Sequence, residues 1–545
     1  MHLRFAFKFP FIAAVMCAAA SVSLGACGGA DPVDDDVVAA GEAQELTAES
    51  AEALTCPASV PTIDFRKSLF VTKETDPNVL LEFTLSSVLQ QLLTSVGSDQ
   101  TPLSLYQRWW DTQNDDSHSF FGDPDTIHCD DVTDSNGNAL LNGFPYTCPR
   151  NEGVLAGTDP FNPAGDHFME PVALVNRFDL APVDGSNCGE YRIVFAKKSS
   201  SAIDRNFIIF EAKLPNPHPE CGIAACLPVA EFWANLSTKT EAQRAVALEG
   251  FYYNGLPGFA PVFQASNFLD GTGQIRTNQF MRNARAQNQP WSLREFKLDV
   301  GTDFLDSSVR LFVKPVTVKE NPFRGLFNAS FDPSDPRGAA FQSDFLGALD
   351  GLVPLGDDEN DISLRTLPNP DDYNSGESIA GPGSENDYAV QLQGNTAFIA
   401  DIDTALSPIL LSRLWPGSVS AEQAAARATT QSCAGCHQLS SDEDRSNPLV
   451  NDDLGGLHVW QANSAGPNNP TGFVHVNELG QISNPLQFTF LPHRAQVLED
   501  FIEEASCEEA CSSTAARAVF TSAASADASV DGAEHVPTLG GSTTH

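Results

Sequence analysis

Ser420-Ala421-Glu422-Gln423-Ala424-Ala425-Ala426-Arg427-Ala428-Thr429-Thr430-Gln431-Ser432-Cys433-Ala434-Gly435-Cys436-His437 is the stretch from which the rest of the chain is best read. Ser420 with Gln423 three residues on fits a capping box, and the alanines that follow favour a helix. That helix runs straight into Cys433-Ala434-Gly435-Cys436-His437, two thiols three positions apart followed at once by an imidazole. A thioredoxin-like dithiol uses such a pair at a strand-to-helix junction, whereas here the helix comes first. Half a zinc site needs a second pair, and no further C-x-x-C or H-x3-H follows. A plain disulfide beside an unrelated histidine stays open.

The remaining chemistry is haem attachment. Thiols at this spacing can each form a thioether to one vinyl group of the same porphyrin, which holds the next histidine under the ring as a ligand to iron. The stretch from about 405 to 511 resembles c-type cytochromes, a family with a helix leading into the motif and a closing helix packed across it. Pro492 to Glu504 would be the closing helix, with Ala495, Leu498, Phe501, Ile502 and Ala505 on one face and Pro492 suited to its first turn. The resemblance implies one covalent haem c per chain, bound through Cys433 and Cys436, with His437 as proximal ligand.

The family's usual distal methionine is missing. The methionines are Met1, Met16, Met169 and Met281, none of them after His437, and 405–511 holds no lysine. That leaves His458, His475, His493 or an open position. His475 lies in the apolar setting Phe473-Val474-His475-Val476 ahead of the closing helix and is the preferred distal ligand; His493 reads as an exposed residue at a helix start. Paired histidines would lower the reduction potential relative to His–Met, and an open position would permit ligand binding or peroxidase-like chemistry.

The N-terminus reads as an export signal. Arg4 and Lys8 precede an apolar run, Phe9 to Ala20, too short for a comfortable span. It ends in Leu24-Gly25-Ala26-Cys27, which resembles the lipobox of bacterial lipoproteins and implies cleavage before Cys27 and acylation of its thiol. Gly28 stands where that family places an Asp for inner-membrane retention, so the resemblance leans toward an outer-membrane anchor, with the protein facing the periplasm or the cell surface. The plainer alternative is simple secretion.

Composition sets the outer bounds. The chain has 545 residues, 42% of them hydrophobic, with a net charge of −40. Such acidity repels phosphate backbones and argues against nucleic-acid binding. Residues 405–511 carry 4 Arg and 13 Asp or Glu, which suits either a basic redox partner or solubility alone. Export makes cysteines disulfide-permissive. Cys56, Cys129, Cys148, Cys188, Cys221, Cys226, Cys507 and Cys511 therefore read as bridges, with Cys129–Cys148, Cys221–Cys226 and Cys507–Cys511 the simplest pairings.

The expected organisation is multidomain: a signal peptide (1–26), an acidic tether (27–55), an α+β region (56–400, with a break near 150), a small mainly α cytochrome c-like domain (401–511) and a low-complexity tail (512–545). Strands are expected at 68–72, 172–180, 191–197, 206–214, 291–300 and 309–318, and helices over 81–93, 229–236 and 240–252. Asp270-Gly271-Thr272-Gly273 reads as a hairpin turn, and 351–400 as a long loop or linker. Asp134-Ser135-Asn136-Gly137-Asn138 departs from the calcium-loop order and reads as a solvated turn. Asn176-Arg177-Phe178-Asp179-Leu180 and Cys188-Gly189-Glu190-Tyr191-Arg192 stand out, but their charges read as ion pairs without an assignable reaction. His118, His128, His167 and His218 are scattered without ligand spacing. The leading function is an exported, lipid-anchored electron-transfer cytochrome. The alternatives are a haem-dependent oxidoreductase with its substrate site in the middle region, and a surface binding or scaffold lipoprotein with an accessory haem.

Overall fold

A computed structural model describes residues 61–121, 127–198, 204–279, 291–302, 307–353, 370–380, 386–413, 419–439, 476–484 and 486–505. All of these fall in one compact unit, Leu54–His545. The fold is mixed α and β, built on one antiparallel sheet. Its strands are β1 (Phe70–Thr72), β2 (Met169–Arg177), β3 (Asn187–Lys197), β4 (Asn206–Pro215), β5 (Gln274–Gln279), β6 (Trp291–Thr302), β7 (Val309–Val316) and β8 (Ser378–Ala380). Neighbours follow chain order from β1 to β6; β7 and β8 then both pair with β6, β8 on residues 291–293 and β7 on residues 295–302.

Register gives the sheet two unlike faces, because successive side chains point to opposite sides. Leu174, Ile193, Phe210, Ile275 and Phe296 are aligned partners across five strands and make an apolar row. Helices cover this face: α1 (Leu85–Ser95), α2 (Pro102–Asp111), α3 (Leu227–Asn235) and α4 (Glu241–Tyr253). α1 and α4 both start with capping boxes, Thr84 with Ser87 and Thr240 with Gln243. Trp109 of α2 stands edge-on to both Phe210 and Phe296, at 6.3 and 5.4 Å between ring centres. The neighbouring rows are charged: Val175, Arg192, Glu211 and Gln274, then Val194, Ile209, Arg276 and Glu295.

A second core forms around α5 (Pro336–Ala348), α6 (Thr396–Ser412) and α7 (Ala421–Gln431), with Phe327, Phe341, Phe345, Phe398 and Leu406 buried in it. The last described helix, α8 (Leu491–Ala505), joins the first core instead, packing on α3 and on Phe178. The two helices expected to frame a small cytochrome-like domain are therefore each built into a core shared with the preceding region. Such a domain is not shown as a separate body.

Most of the anticipated strands and helices form within a few residues of their expected limits. Three expectations are corrected. Cys226 bonds Cys188, which ties the start of β3 to the start of α3, and not Cys221, which is itself disulfide-bonded. Cys129–Cys148 forms as expected. The described parts of 351–400 are not loop alone: they include β8, a short helix Tyr388–Leu392 and the start of α6, whose Phe398 and Ile402 lie four residues apart and are buried, while 354–369 and 381–385 lie outside the described residues. Asp270–Gly273 does not join adjacent strands; it follows a 3-10 turn, Ala265–Phe268, and leads into β5. Asp134 does organise a solvated turn, accepting hydrogen bonds from the amides of Asn136 and Asn138 at 2.8 Å. Cys27, His458, His475, Cys507 and Cys511 lie outside the described residues.

Because Trp109 fills the space between two strands of the apolar row, Trp109→Ala is expected to destabilise the fold by about 3–5 kcal/mol. Urea unfolding followed by circular dichroism measures it, and a loss below about 1 kcal/mol would contradict the packing described.

Candidate functional site

α7 delivers the motif. Its capping box forms as the sequence indicates, with Ser420 accepting from the Gln423 amide at 3.2 Å. Ser432 ends the helix in extended backbone, and a second short helical turn carries Gly435–Leu439. Three hydrogen bonds hold the turn: Ala434 N–H donates to Ser378 Oγ of β8 (2.9 Å), Gly435 N–H to Ser432 Oγ (3.0 Å) and Cys436 N–H to the Ser432 carbonyl (2.8 Å). Gly435 is required by space. A Cβ there would lie 1.7 Å from the Thr429 carbonyl oxygen, a backbone atom of α7 that cannot move aside.

Cys433 and Cys436 are the only cysteines among the described residues that are not disulfide-bonded. Both are partly buried. Desolvation pushes the Cys433 thiol up to about 12, with Arg276 opposing and Glu295 and Glu211 adding to the rise. Burial likewise raises Cys436, against the pull of Arg494, Arg177 and Arg192. The motif thus lies over the charged face of the sheet. His437 is buried and stacks flat on Trp291, with ring centres 3.9 Å apart and planes 7° from parallel. Trp291 opens β6 and belongs to the same sheet face as Glu295, so β6 stacks on the histidine of the motif and its Glu295 acts electrostatically on Cys433.

The charged face is an ordered ladder. Arg192 Nη1 is 3.0 Å from Glu211, Arg276 Nη1 is 3.3 Å from Glu211, and Arg276 Nε donates to Glu295 at 3.0 Å. Arg192 also pairs with Glu190, and Gln274 donates to Glu211 at 2.7 Å. Beside it Arg177 clasps Asp179 through two nitrogens, and Arg494 of α8 approaches the same carboxylate at 3.6 Å. Burial draws Arg276 down, but Glu211 and Glu295 outweigh it and hold the guanidinium well above its ordinary value. Arg494 goes the other way, drawn down to about 9 by burial and by Arg177.

The two sequence strings without an assignable reaction supply much of this ladder: Arg177 and Asp179 come from one, Glu190 and Arg192 from the other. They were legible as ion pairs, but nothing in their local sequence points to Cys436. Gly189 fits the junction between them, with φ +88° and its α-carbon side facing the Arg177 carbonyl too closely for any Cβ. His493 is exposed at the start of α8, as expected of it. Elsewhere, the fold gathers one of the scattered histidines with carboxylates: ligand atoms of Asp116, His128 and Asp131 lie within 4.8 Å of one another. His128 is already engaged there, its Nδ1 3.1 Å from Asp116 and its Nε2 2.9 Å from Ser119 Oγ.

Two outcomes are expected. Glu211→Gln leaves the buried Arg276 and the partly buried Arg192 without their shared counter-charge and should cost about 3–5 kcal/mol; a urea midpoint unchanged from the parent would show that the ladder is not paired in solution. In protein made without haem attachment, iodoacetamide should alkylate Cys433 at pH 8 roughly a thousandfold more slowly than free cysteine, following the fall in thiolate; peptide mass spectrometry reads the rate, and reactivity within tenfold of free cysteine would contradict a desolvated thiol.

No family model, no curated protein and no solved structure matches this chain.

Proposed function

We propose that this chain is an exported c-type haem protein that passes single electrons, with one haem joined to Cys433 and Cys436 and His437 as its axial ligand. The observation that carries the reading is the state of the cysteines. In a chain whose other described cysteines are all bonded in disulfides, the two thiols of C-x-x-C-H are free, on one turn, beside an imidazole. They fit the group in other respects. Stacking on Trp291 engages the face of the His437 ring rather than its nitrogen edge. Bound there, the haem would supply a one-electron couple. The protein's own part is to fix the imidazole between Trp291 and the turn, to exclude water, and to set a charged, ordered wall beside the thioethers. Cys27 would anchor the chain to the membrane and His475 would be the sixth ligand. The acidic surface would favour a basic redox partner.

A second reading, a haem-dependent oxidoreductase, draws on the same charged wall, which could orient a polar substrate next to the cofactor.

Expression with the cytochrome c maturation machinery tests both. The expected result is a Soret band and a haem-sized mass increase that vanish in Cys433→Ser/Cys436→Ser. Absence of both in the parent would end either reading. A six-coordinate low-spin spectrum supports electron transfer, whereas a high-spin spectrum altered by peroxide or carbon monoxide supports the enzyme. His475→Ala should turn low-spin into high-spin, and an unchanged spectrum discards that ligand. Cys27→Ser should release the protein from membranes, and continued retention would refute the anchor.

A further inference from the structure

The residues that follow α2 hold a second cluster of titratable groups, none of them part of the C-x-x-C-H turn or of the charged ladder. Asp111, the last residue of α2, is fully buried. Its Oδ1 accepts from the Asn114 side-chain amide and from the Phe120 backbone amide, both at 2.9 Å, and its Oδ2 accepts from Ser119 Oγ at 2.8 Å. A buried carboxylate needs its charge balanced as well as its lone pairs filled. His128 is the ionisable side chain that approaches it, with Nε2 3.5 Å from Asp111 Oδ2 and 2.9 Å from Ser119 Oγ. The chain returns to this place through the Cys129 N–H, which donates to the Asn114 carbonyl at 3.0 Å, and through the Cys129–Cys148 disulfide.

These contacts decide which ring nitrogen of His128 carries the proton. Ser119 has one hydroxyl proton, and the Asp111 carboxylate at 2.8 Å and the Phe121 carbonyl at 2.7 Å both compete for it. Nε2 is therefore the donor to Ser119, and in a neutral ring the lone pair is left on Nδ1. That atom faces Asp116, whose Oδ1 is 3.1 Å away. Neither a lone pair nor a carboxylate has a hydrogen to give, and the imidazole is only 8% exposed. A positive charge belongs between them. A second proton on the ring would answer Asp116 alone, yet a carboxylate oxygen of Asp131 converges on the same point, with all three ligand atoms within 4.8 Å of one another. Asp131 is held in place by the His128 backbone N–H, which donates to it at 3.0 Å. Asp111, Asp116 and Asp131 thus set three carboxylates around one imidazole, and a divalent ion balances them better than one proton does. The spacing fits as well. A zinc-like ion bonds nitrogen and carboxylate oxygen at about 2.0–2.2 Å, which sets neighbouring ligands roughly 3 Å apart.

We propose that His128 Nδ1, Asp116 and Asp131 bind a divalent transition-metal ion of the zinc type. Ser119 and Asp111 are the outer partners that fix the ring's tautomer and direction. One imidazole with two carboxylates suits such an ion better than calcium, which takes oxygen ligands. Asp116 and Asp131 are exposed, so water reaches the ion and completes its shell. The ion joins two stretches of loop to the buried end of α2. The site does not rest on the haem reading.

Zinc chloride is the probe, with calcium chloride in parallel. The Cys433→Ser/Cys436→Ser chain is used, so that the thiols of the motif cannot hold the metal. Calorimetry should find a saturable zinc site, and the melting temperature should rise as it fills. Asp116→Asn and Asp131→Asn, both at exposed positions, should fold like their parent without zinc and weaken zinc binding at least about tenfold. His128→Gln should abolish binding; if that variant does not fold, the two aspartate variants still decide. His218→Ala, at an exposed histidine elsewhere, should leave binding intact. Absence of saturable zinc binding overturns the site, as does binding that is unchanged in both asparagine variants. A response to calcium as strong as that to zinc overturns the part given to the imidazole.

Discussion

Arg192, Glu211, Arg276 and Glu295 alternate in sign across four adjacent strands on a sheet face from which water is largely excluded. Each of these charges costs several kcal/mol to take out of water, and only an alternating arrangement returns that energy. The requirement is unforgiving in register. A slip of one residue would carry the arginines into the apolar row under Trp109 and Leu174, Ile193, Phe210, Ile275 and Phe296 into the charged one. Pairing of the ladder and packing of the apolar row therefore select the same register independently, and every later feature is placed by it.

The C-x-x-C-H turn is one such feature. It is held to β8 through Ser378, its histidine lies on the first residue of β6, and its two thiols feel different charges of the wall, Cys433 those of Arg276, Glu295 and Glu211 and Cys436 those of Arg494, Arg177 and Arg192. The sheet of the preceding region is thus part of the structure against which the motif is built. A simple electron shuttle would need only the motif and its helices; here the sheet supplies the surroundings that set the motif's acidity, dryness and orientation. The same arrangement bears on partner choice. Arg177 and Arg276, two of the chain's scarce basic residues, are buried in this wall against carboxylates and so are not offered to a partner.

Local signals were read well where the physics is local. The Ser420–Gln423 capping box, the alanine helix after it, the β-branched and aromatic strands and the helix from Pro492 need only neighbours within a few residues. Reading was poorer where composition misled: Asp, Asn, Gly and Pro across 351–400 suggested a loop, yet Phe398, Ile402 and Leu406 share a buried helical face. Cysteine pairing failed for a related reason. Cys221 and Cys226 are close in sequence, but β3 and α3 are brought together by the core, and Cys188 is the partner that core presents.

The sequence by itself determined the motif, the helix that presents it, the alternation that gives each strand two faces, and the small residue at 435. Each follows from spacing along the chain. Only the tertiary structure decided that His437 rests on Trp291, that Cys433 lies by Arg276 and Cys436 by Arg177 and Arg192, and that α7 and α8 belong to different cores. Those partners are 146 to 259 residues apart in the chain. No local preference encodes such distances; they are fixed by strand register and by which faces must be buried together.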